Sequence, residues 1–227
     1  MLTVHVADDL WPGPGTEVVR CGAVAVEGTV IAAVGPYEQV TAERPGARIR
    51  RWPGLLTPGL VNRRAGRLLE AVYHPDPREA DDLGTEPVTD AALAGARLGA
   101  SARRGIQRML AHGTTAVAGE FRAPEVRTAL ARAGMTVVGG PGTDASLAPS
   151  LDPLAGGVGD EVFAGVLAPG GRADFAVFAV GAVDDAGDDT TDAVTGSGGD
   201  PRQALAARGA GTCVATVLGG RLVYRGR

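Results

Sequence analysis

Lysine is absent from this chain of 227 residues, in which every one of the 22 basic side chains is arginine. The chain therefore cannot form a Schiff base through a side-chain amine, and it has no lysine to carboxylate as a bridge between metal ions. Cysteine is nearly absent, because Cys21 and Cys213 are the only two. Two cysteines make no disulfide framework, so we expect reduced thiols in a cytoplasmic protein.

Long apolar runs and targeting signals are missing as well. No apolar run reaches the ~18 residues that a membrane helix requires, and no signal peptide is indicated at the N-terminus. The net charge of -4 argues against a nucleic-acid partner. A hydrophobic content of 44% is typical of a globular protein with a substantial core. We expect a chain with neither a membrane nor a nucleic-acid partner.

The residue pattern divides the chain into parts of different composition. Residues 1–53 contain β-branched runs separated by turn signals, which predict an all-β part. Residues 54–142 alternate between apolar strands and helical stretches, which predicts an α/β part. Residues 143–162 are rich in Gly and Pro and are expected to form a linker, and 163–227 return to β patterns. Within this last part, 184–199 combine aspartates with Gly and Ser and are expected to form a mobile acidic loop.

The α/β part contains five elements that the sequence predicts in detail. The apolar stretch from Gly54 to Val61 is typical of a buried parallel strand. A long helix is expected from about Thr89 to His112, with one apolar face and a stop at Gly113. Further strands are expected at 114–118 and 135–138. Between these two strands, a helix is expected to begin at Pro124 and end at Gly134.

Five segments resemble motifs of the metal-dependent amidohydrolase superfamily. Residues 55–66 read Leu-Leu-Thr-Pro-Gly-Leu-Val-Asn-Arg-Arg-Ala-Gly, which is similar to the TPGLVNxHxH segment of that family. The others resemble its sandwich hairpin, its junction between helix and second strand, its GxxAD strand and its final GGRLVY hairpin. They lie at 22–35, 109–119, 166–178 and 214–224.

This resemblance implies a composite β-sandwich built from both termini, 1–53 and 163–227, around an abbreviated TIM-barrel-like α/β unit at 54–142. The overall fold class expected is α/β plus all-β. In the family, the two histidines of the first motif bind the catalytic metal. Arg64 and Gly66 occupy those positions here, and an arginine has no lone pair for a metal. The nearest types are imidazolonepropionase and aminofutalosine deaminase, whose chemistry this replacement removes.

Histidine is too scarce for the metal site of the family. The three histidines are His5, His74 and His112, and they show no spacing typical of zinc ligands. The sequence therefore predicts no metal, no cofactor and no catalytic residue of the family type. His112 is expected to stabilise a helix C-terminus. His74, which precedes a proline in a loop, is the one histidine expected near a pocket.

Polar residues follow the predicted strands at the edge where α/β proteins bind ligands. An arginine-lined pocket for a small anion is one interpretation of this group. In another, Arg64 fills the vacated metal site and forms a buried ion pair with Glu120; in a third, the site is a relic. The ligand-binding candidates are Asn62, Arg63, Arg64, His74, Glu120 and Arg122, with Thr143 and Asp144 after the third strand.

The sequence predicts a degenerate amidohydrolase-like protein, a pseudoenzyme that acts as a binding or accessory protein. An open parallel sheet exposes unpaired edges, so self-association into a homodimer or a complex with a partner of the same pathway is expected. The alternative is a hydrolase of non-peptide carbon–nitrogen bonds that uses a metal-free or unrecognised site.

Overall fold

The computed structural model describes residues 2–89, 97–139, 148–156, 159–180 and 199–226. Two sheets and the helices that flank them make up this part of the chain. No helix within the described residues is long and apolar enough to cross a bilayer. The strands are β1 (Leu2–Leu10), β2 (Val19–Glu27), β3 (Val30–Pro36), β4 (Arg48–Pro58), β5 (Leu60–Asn62), β6 (Thr114–Ala118), β7 (Thr136–Val138), β8 (Phe175–Phe178), β9 (Cys213–Leu218) and β10 (Arg221–Arg225). The helices are α1 (Tyr37–Ala42), α2 (Ala65–Glu70), α3 (Ala80–Leu83), α4 (Leu98–Leu110), α5 (Pro124–Ala133) and α6 (Pro201–Arg208), with short 3₁₀ turns at Pro77–Glu79, Asp160–Val162 and Ala210–Thr212.

A mixed sheet of seven strands combines the two ends of the chain in the order β10-β9-β8-β4-β1-β2-β3. The sheet is curled, because the turn at 170–173 forms backbone hydrogen bonds with the β2–β3 hairpin at one end of the sheet and the β9–β10 hairpin at the other. Ile31 donates its N–H to the carbonyl of Gly171 at 2.8 Å, and Gly220 donates to the carbonyl of Ala173 at 2.9 Å. Side chains of β2, β3, β4, β8 and β9 consequently share one core. The prediction that both ends of the chain share a β structure is confirmed by this mixed sheet, although α1 lies within the part predicted as all-β. The β-sandwich and the domain limits stay predictions.

The chain passes from the first sheet to the second at Gly59. A Cβ atom there would lie 1.9 Å from Oγ1 of Thr115, so only glycine allows the two strands to approach this closely. The expectation of one continuous strand from Gly54 to Val61 is therefore wrong, although parallel pairing is present on both sides of the break. Leu55 and Leu56 pair parallel with β1, Leu55–Pro58 also pair antiparallel with β8, and Leu60–Asn62 run parallel to β6.

The second sheet has three parallel strands in the order β5-β6-β7. Helices α2, α4 and α5 cover one of its faces with a core that includes Ile106, Met109, Val117 and Leu130. The predicted α/β alternation is present, but a TIM-barrel-like unit is not confirmed, because these three strands form an open sheet.

The helix boundaries follow local signals. Helix α4 ends at Leu110, shortly before Gly113, whose φ of +73° suits a glycine. The helix expected from Thr89 is described only from Leu98, since 90–96 lie outside the described residues. Helix α5 begins at Pro124 and ends before Gly134 in the left-handed conformation, as predicted. Most of the 184–199 stretch also lies outside the described residues.

Candidate functional site

Asn62 ends strand β5 and is almost fully buried, with 1% of its surface exposed. Its Nδ2 donates to the carbonyl of Ser150 at 3.0 Å, and its Oδ1 accepts from the backbone N–H of Arg64 at 2.8 Å. The side chain thereby fixes both the turn into α2 and a distant segment of the chain. We call this segment, residues 148–156 and 159–167, the return segment, because it leads back towards β8.

Arg64 is half-buried and also contacts the return segment. Its Nη2 donates to the carbonyl of Ala155. The ion pair expected between Arg64 and Glu120 is not formed, since the described residues contain no salt bridge between them and Glu120 is exposed. A carbonyl oxygen is the partner of this cation, so the prediction of a carboxylate partner is corrected.

Arg63 completes the group at the end of β5. Its Nη2 donates to the carbonyl of Glu161 at 3.3 Å. Asn62, Arg63 and Arg64 thus each donate a side-chain hydrogen bond to a main-chain carbonyl of the return segment. We refer to these three residues as the clamp. The clamp holds the return segment over the end of the strand at which the family motif would place a metal.

Gly66, at the second ligand position of the motif, lies in the first turn of α2. The nearest atom to a Cβ built there is the carbonyl oxygen of Glu120, 4.0 Å away. The space beside this residue is therefore open, and the absence of a side chain is not imposed by crowding.

Other polar candidates do not join the clamp. Arg122 is exposed, and its carbonyl accepts from Nη1 of Arg127. Thr143 and Asp144 lie outside the described residues. The expected arginine-lined anion pocket at the strand ends is therefore not assembled from the described members of this set.

His74 is a buried histidine rather than a pocket residue. Its side chain has no exposed surface, and its Nε2 bonds the carbonyl of Leu68 at 2.9 Å. The backbone N–H of His74 donates to Oγ of Ser101 at 2.9 Å. Helix α4 passes so close that a Cβ at Gly105 would lie 2.6 Å from Nε2. Burial lowers the pKa of the imidazole, which favours a neutral ring that locks the 68–74 connection against α4.

The remaining histidines lie far from the clamp in the sequence and have structural partners. His5 is buried on β1, where its Nδ1 accepts from Nε1 of Trp52 at 3.1 Å and its ring meets the edge of Phe175. His112 follows α4, and its Nδ1 bonds the carbonyl of Arg108 at 2.9 Å. Within the described residues, no group of three or more His, Cys, Asp or Glu side chains is arranged to hold a metal ion.

A groove of about 550 Å³ lies along the face of β5, β6 and β7 that the helices leave uncovered. Val61, Ala116 and Val138 form its floor, and Phe163 of the return segment forms part of its wall. The two sides are joined by the backbone, because Ala164 donates its N–H to the carbonyl of Gly59 at 2.8 Å. The groove has an apolar floor and a polar rim.

Arg172 and Asp174 belong to that rim and connect it to both sheets. Their side chains form an ion pair at 3.1 Å, and Arg172 also donates to Oγ1 of Thr136 at 2.7 Å. Asp174 accepts from the N–H of Gly219 at 2.6 Å, and burial raises the pKa of its carboxyl. Neither residue was predicted as a site candidate from the sequence. The alternation of small apolar residues in the second sheet could have indicated the groove floor.

Residues 22–43 match the bacterial imidazolonepropionase-like composite domain family. This segment contains most of β2 and the whole of β3 and α1. The match confirms the predicted resemblance to the amidohydrolase superfamily over these residues. No curated protein matches the chain.

Several solved structures share part of the fold. Ochratoxinase from A. niger is 23% identical, with a TM-score of 0.42, over 61% of this chain and 31% of its own. Guanine deaminase from Bradyrhizobium japonicum is 20% identical, with a TM-score of 0.40, over 62% of this chain and 35% of its own. Aminofutalosine deaminase from Helicobacter pylori is 16% identical, with a TM-score of 0.41, over 62% of this chain and 33% of its own. The matched region is about a third of each of these proteins, and likeness at this level transfers no activity.

Proposed function

We propose that this chain is an amidohydrolase-like binding protein that has no metal-dependent hydrolase activity. The observation that carries the proposal is the clamp. Asn62, Arg63 and Arg64 donate to carbonyls of the return segment, so the side chains at the end of β5 hold protein together. A metal-dependent hydrolase needs neutral imidazole or carboxylate ligands at this place to lower the pKa of a bound water.

The groove beside the clamp is the binding surface that the geometry supports best. Its floor is apolar, and its rim contains two cations, Arg63 and Arg172, and two anions, Glu161 and Asp174. Because the formal charges of the rim balance, the lining suits a small molecule with an apolar body and both donor and acceptor groups. A small anion, the ligand class expected from the sequence, would have to displace partners that the arginines already have.

An accessory role can also involve a second protein chain. Val137 and Val166 are 51% and 48% exposed, one on β7 and the other on the return segment beside the groove. Strand β7 is also an edge of the second sheet, and an open edge is surface that a second chain can cover. We propose that the accessory role involves a homodimer. Sedimentation velocity over a range of concentrations measures whether this homodimer forms.

Elemental analysis with an activity assay tests the catalytic half of the proposal. After desalting, we expect no stoichiometric zinc, iron or manganese and no turnover of imidazolonepropionate or aminofutalosine. About one metal ion per chain together with turnover would instead establish the alternative, a hydrolase of carbon–nitrogen bonds. Turnover without metal would establish a metal-free site.

A thermal-shift screen tests the binding half. Ligands that stabilise the protein should lose their effect in Ala116→Leu, because the larger side chain projects from the groove floor into the space that a ligand would fill. Ala129→Leu adds the same side chain on α5, on the helical side of the sheet, and controls for core overpacking. Equal loss of ligand stabilisation in both variants would show that the groove is not the binding site.

A further inference from the structure

The first half of β4 has one open edge. Strand β1 pairs with β4 from Arg48 onwards, but β8 pairs only with Leu55–Pro58. The ladder with β8 stops at Leu55, although the backbone at the end of β8 still lies close to Gly54, where a Cβ would be 2.2 Å from the carbonyl oxygen of Phe178. Along Arg48–Pro53, no strand lies on the side away from β1 in the described part of the chain. Pro53 agrees with this placement, since proline within sheets is confined to edges, strand starts and bulges.

Four arginines surround this open edge without a carboxylate partner. Arg48, Arg50 and Arg51 belong to the edge, and Arg225 of β10 lies over the ring of Trp52, with 5.9 Å from its guanidinium carbon to the ring centroid. None of the four forms a salt bridge within the described residues. The chain as a whole carries a net charge of -4, so this concentration of unpaired cations departs from its average.

Alternation along β4 distributes these groups over both faces of the edge. Arg50 and Trp52 lie on the face that contributes to the main core, where Arg50 acts electrostatically on His5. Ile49 and Arg51 lie on the other face. Arg51 donates to the hydroxyl of Tyr37 at 3.1 Å, and Ile49 is 44% exposed. One face therefore offers the cations Arg50 and Arg225 above a buried Trp52, and the other offers Arg51 next to the exposed Ile49.

Charged side chains commonly protect edge strands against aggregation. That role requires little more than one inward-facing charge, and it does not account for an additional arginine from β10. Mutual repulsion among unpaired arginines also disfavours the folded state unless an anion is nearby. Charge complementarity thus indicates an acidic occupant, and the open backbone edge indicates an extended one.

We propose that the edge Arg48–Pro53 binds an acidic peptide in extended conformation, added as a strand beside β4. Backbone hydrogen bonds along the edge would supply affinity. Carboxylates of alternate residues share one face of an added strand and would pair with Arg50 and Arg225, while the residues between them would meet Ile49 on the other face. This inference does not depend on the proposed function, because the edge belongs to the first sheet and the groove to the second.

The test uses the full chain and a fluorescein-labelled heptapeptide in which aspartate alternates with valine. Fluorescence anisotropy should show saturable binding that weakens as the salt concentration rises. Arg50→Gln and Arg225→Gln should each raise Kd about tenfold, the effect of losing one hydrogen-bonded ion pair. Arg103→Gln and Arg132→Gln, which remove exposed arginines from α4 and α5, should leave Kd unchanged.

A second peptide separates strand addition from attraction between charges. Replacing each valine by proline keeps the aspartates but removes backbone N–H groups, so binding should be lost. Equal binding of both peptides would overturn the proposal of an added strand. Absence of binding to the first peptide would show that the arginines only protect the edge, and a single-stranded oligonucleotide of equal affinity would overturn the choice of an acidic peptide.

Discussion

Replacing Asn62 with alanine should destabilise the protein more than removing either arginine of the clamp. Asn62 is the buried member, and its two hydrogen bonds connect the end of β5 to Arg64 and to Ser150. Alanine leaves the N–H of Arg64 and the carbonyl of Ser150 without these partners. Within the described residues, Asn62 is the side-chain partner of both of these backbone groups.

The magnitude follows from these two bonds. A hydrogen bond contributes about 1 kcal/mol net, and a buried polar group left unpaired costs about 1–3 kcal/mol. For two groups that are partly buried, we expect Asn62→Ala to lower the free energy of unfolding by about 3 kcal/mol. Arg64 is half-buried and donates to a single carbonyl, so Arg64→Ala should cost about 1 kcal/mol. A buried ion pair with Glu120 would predict that Arg64→Ala lowers the free energy of unfolding by about 3 kcal/mol, but this pair is not formed.

Urea unfolding followed by circular dichroism measures these differences, provided that the m-values stay equal. Arg122→Ala, which removes an exposed side chain near the strand ends, is the control and should stay within ~0.5 kcal/mol of the wild type. Thermolysin should also cleave the return segment faster in Asn62→Ala than in Arg122→Ala or the wild type. If Arg64→Ala proved more destabilising than Asn62→Ala, the clamp would not work as described.

Three further perturbations test other parts of the fold. Gly59→Ala should lower the free energy of unfolding by at least ~3 kcal/mol, because its Cβ would overlap Thr115. The double variant with Thr115→Gly should recover stability. An undiminished melting temperature in the single variant would contradict the close approach of the two strands. Gly66→Ala should be tolerated and raise stability by up to ~1 kcal/mol, since the site is open and alanine favours the helix; a clear loss of stability would show hidden crowding. Burial, and to a smaller extent Arg50, lower the pKa of His5 from 6.5 to about 4, so only the unfolded chain gains this proton between those values. The contribution of His5 to stability should therefore be complete above pH 6.5, and it should fall by about 3 kcal/mol towards pH 4. His5→Gln should remove this part of the pH dependence. An imidazole titration followed by NMR locates the pKa.

Local patterns were sufficient to predict much of the fold. The helix α5 could be placed to the residue because Pro124 and Gly134 mark its two ends by backbone geometry alone. The apolar face of α4 was readable because Ala102, Ile106 and Met109 recur at helical spacing and are buried. These signals act within a few residues, so they do not depend on the rest of the chain.

The pairing of β4 could not be predicted in the same way. Leu55 and Leu56 are fully buried beside β8, and a continuous apolar run is equally compatible with parallel and antiparallel neighbours. The change of sheet at Gly59 depends on contact with Thr115, a residue of another strand. Only the three-dimensional arrangement of the two sheets shows that the apolar run belongs to both.

The clamp was beyond sequence reasoning for a similar reason. The sequence identified Asn62, Arg63 and Arg64 as a polar group at a strand end, but their acceptors lie 88, 98 and 91 residues further along the chain. Those acceptors are main-chain carbonyls, which every residue type supplies. No composition or spacing could therefore distinguish these partners from the carboxylate of Glu120.

The clamp connects two departures from the family motif that the sequence presents separately. One is the presence of Arg64 and Gly66 at the ligand positions, and the other is the short connection between the third strand of the second sheet and the strand that returns to the first. The short connection lies over the end of β5, so the side chains there must hold main-chain carbonyls, which require donors. Arginine and asparagine amides donate, whereas a neutral imidazole that coordinates a metal would direct its lone pair to the same place. Of the clamp residues, Arg64 alone stands at a position where the resemblance implies a metal ligand, and there it donates to the return segment.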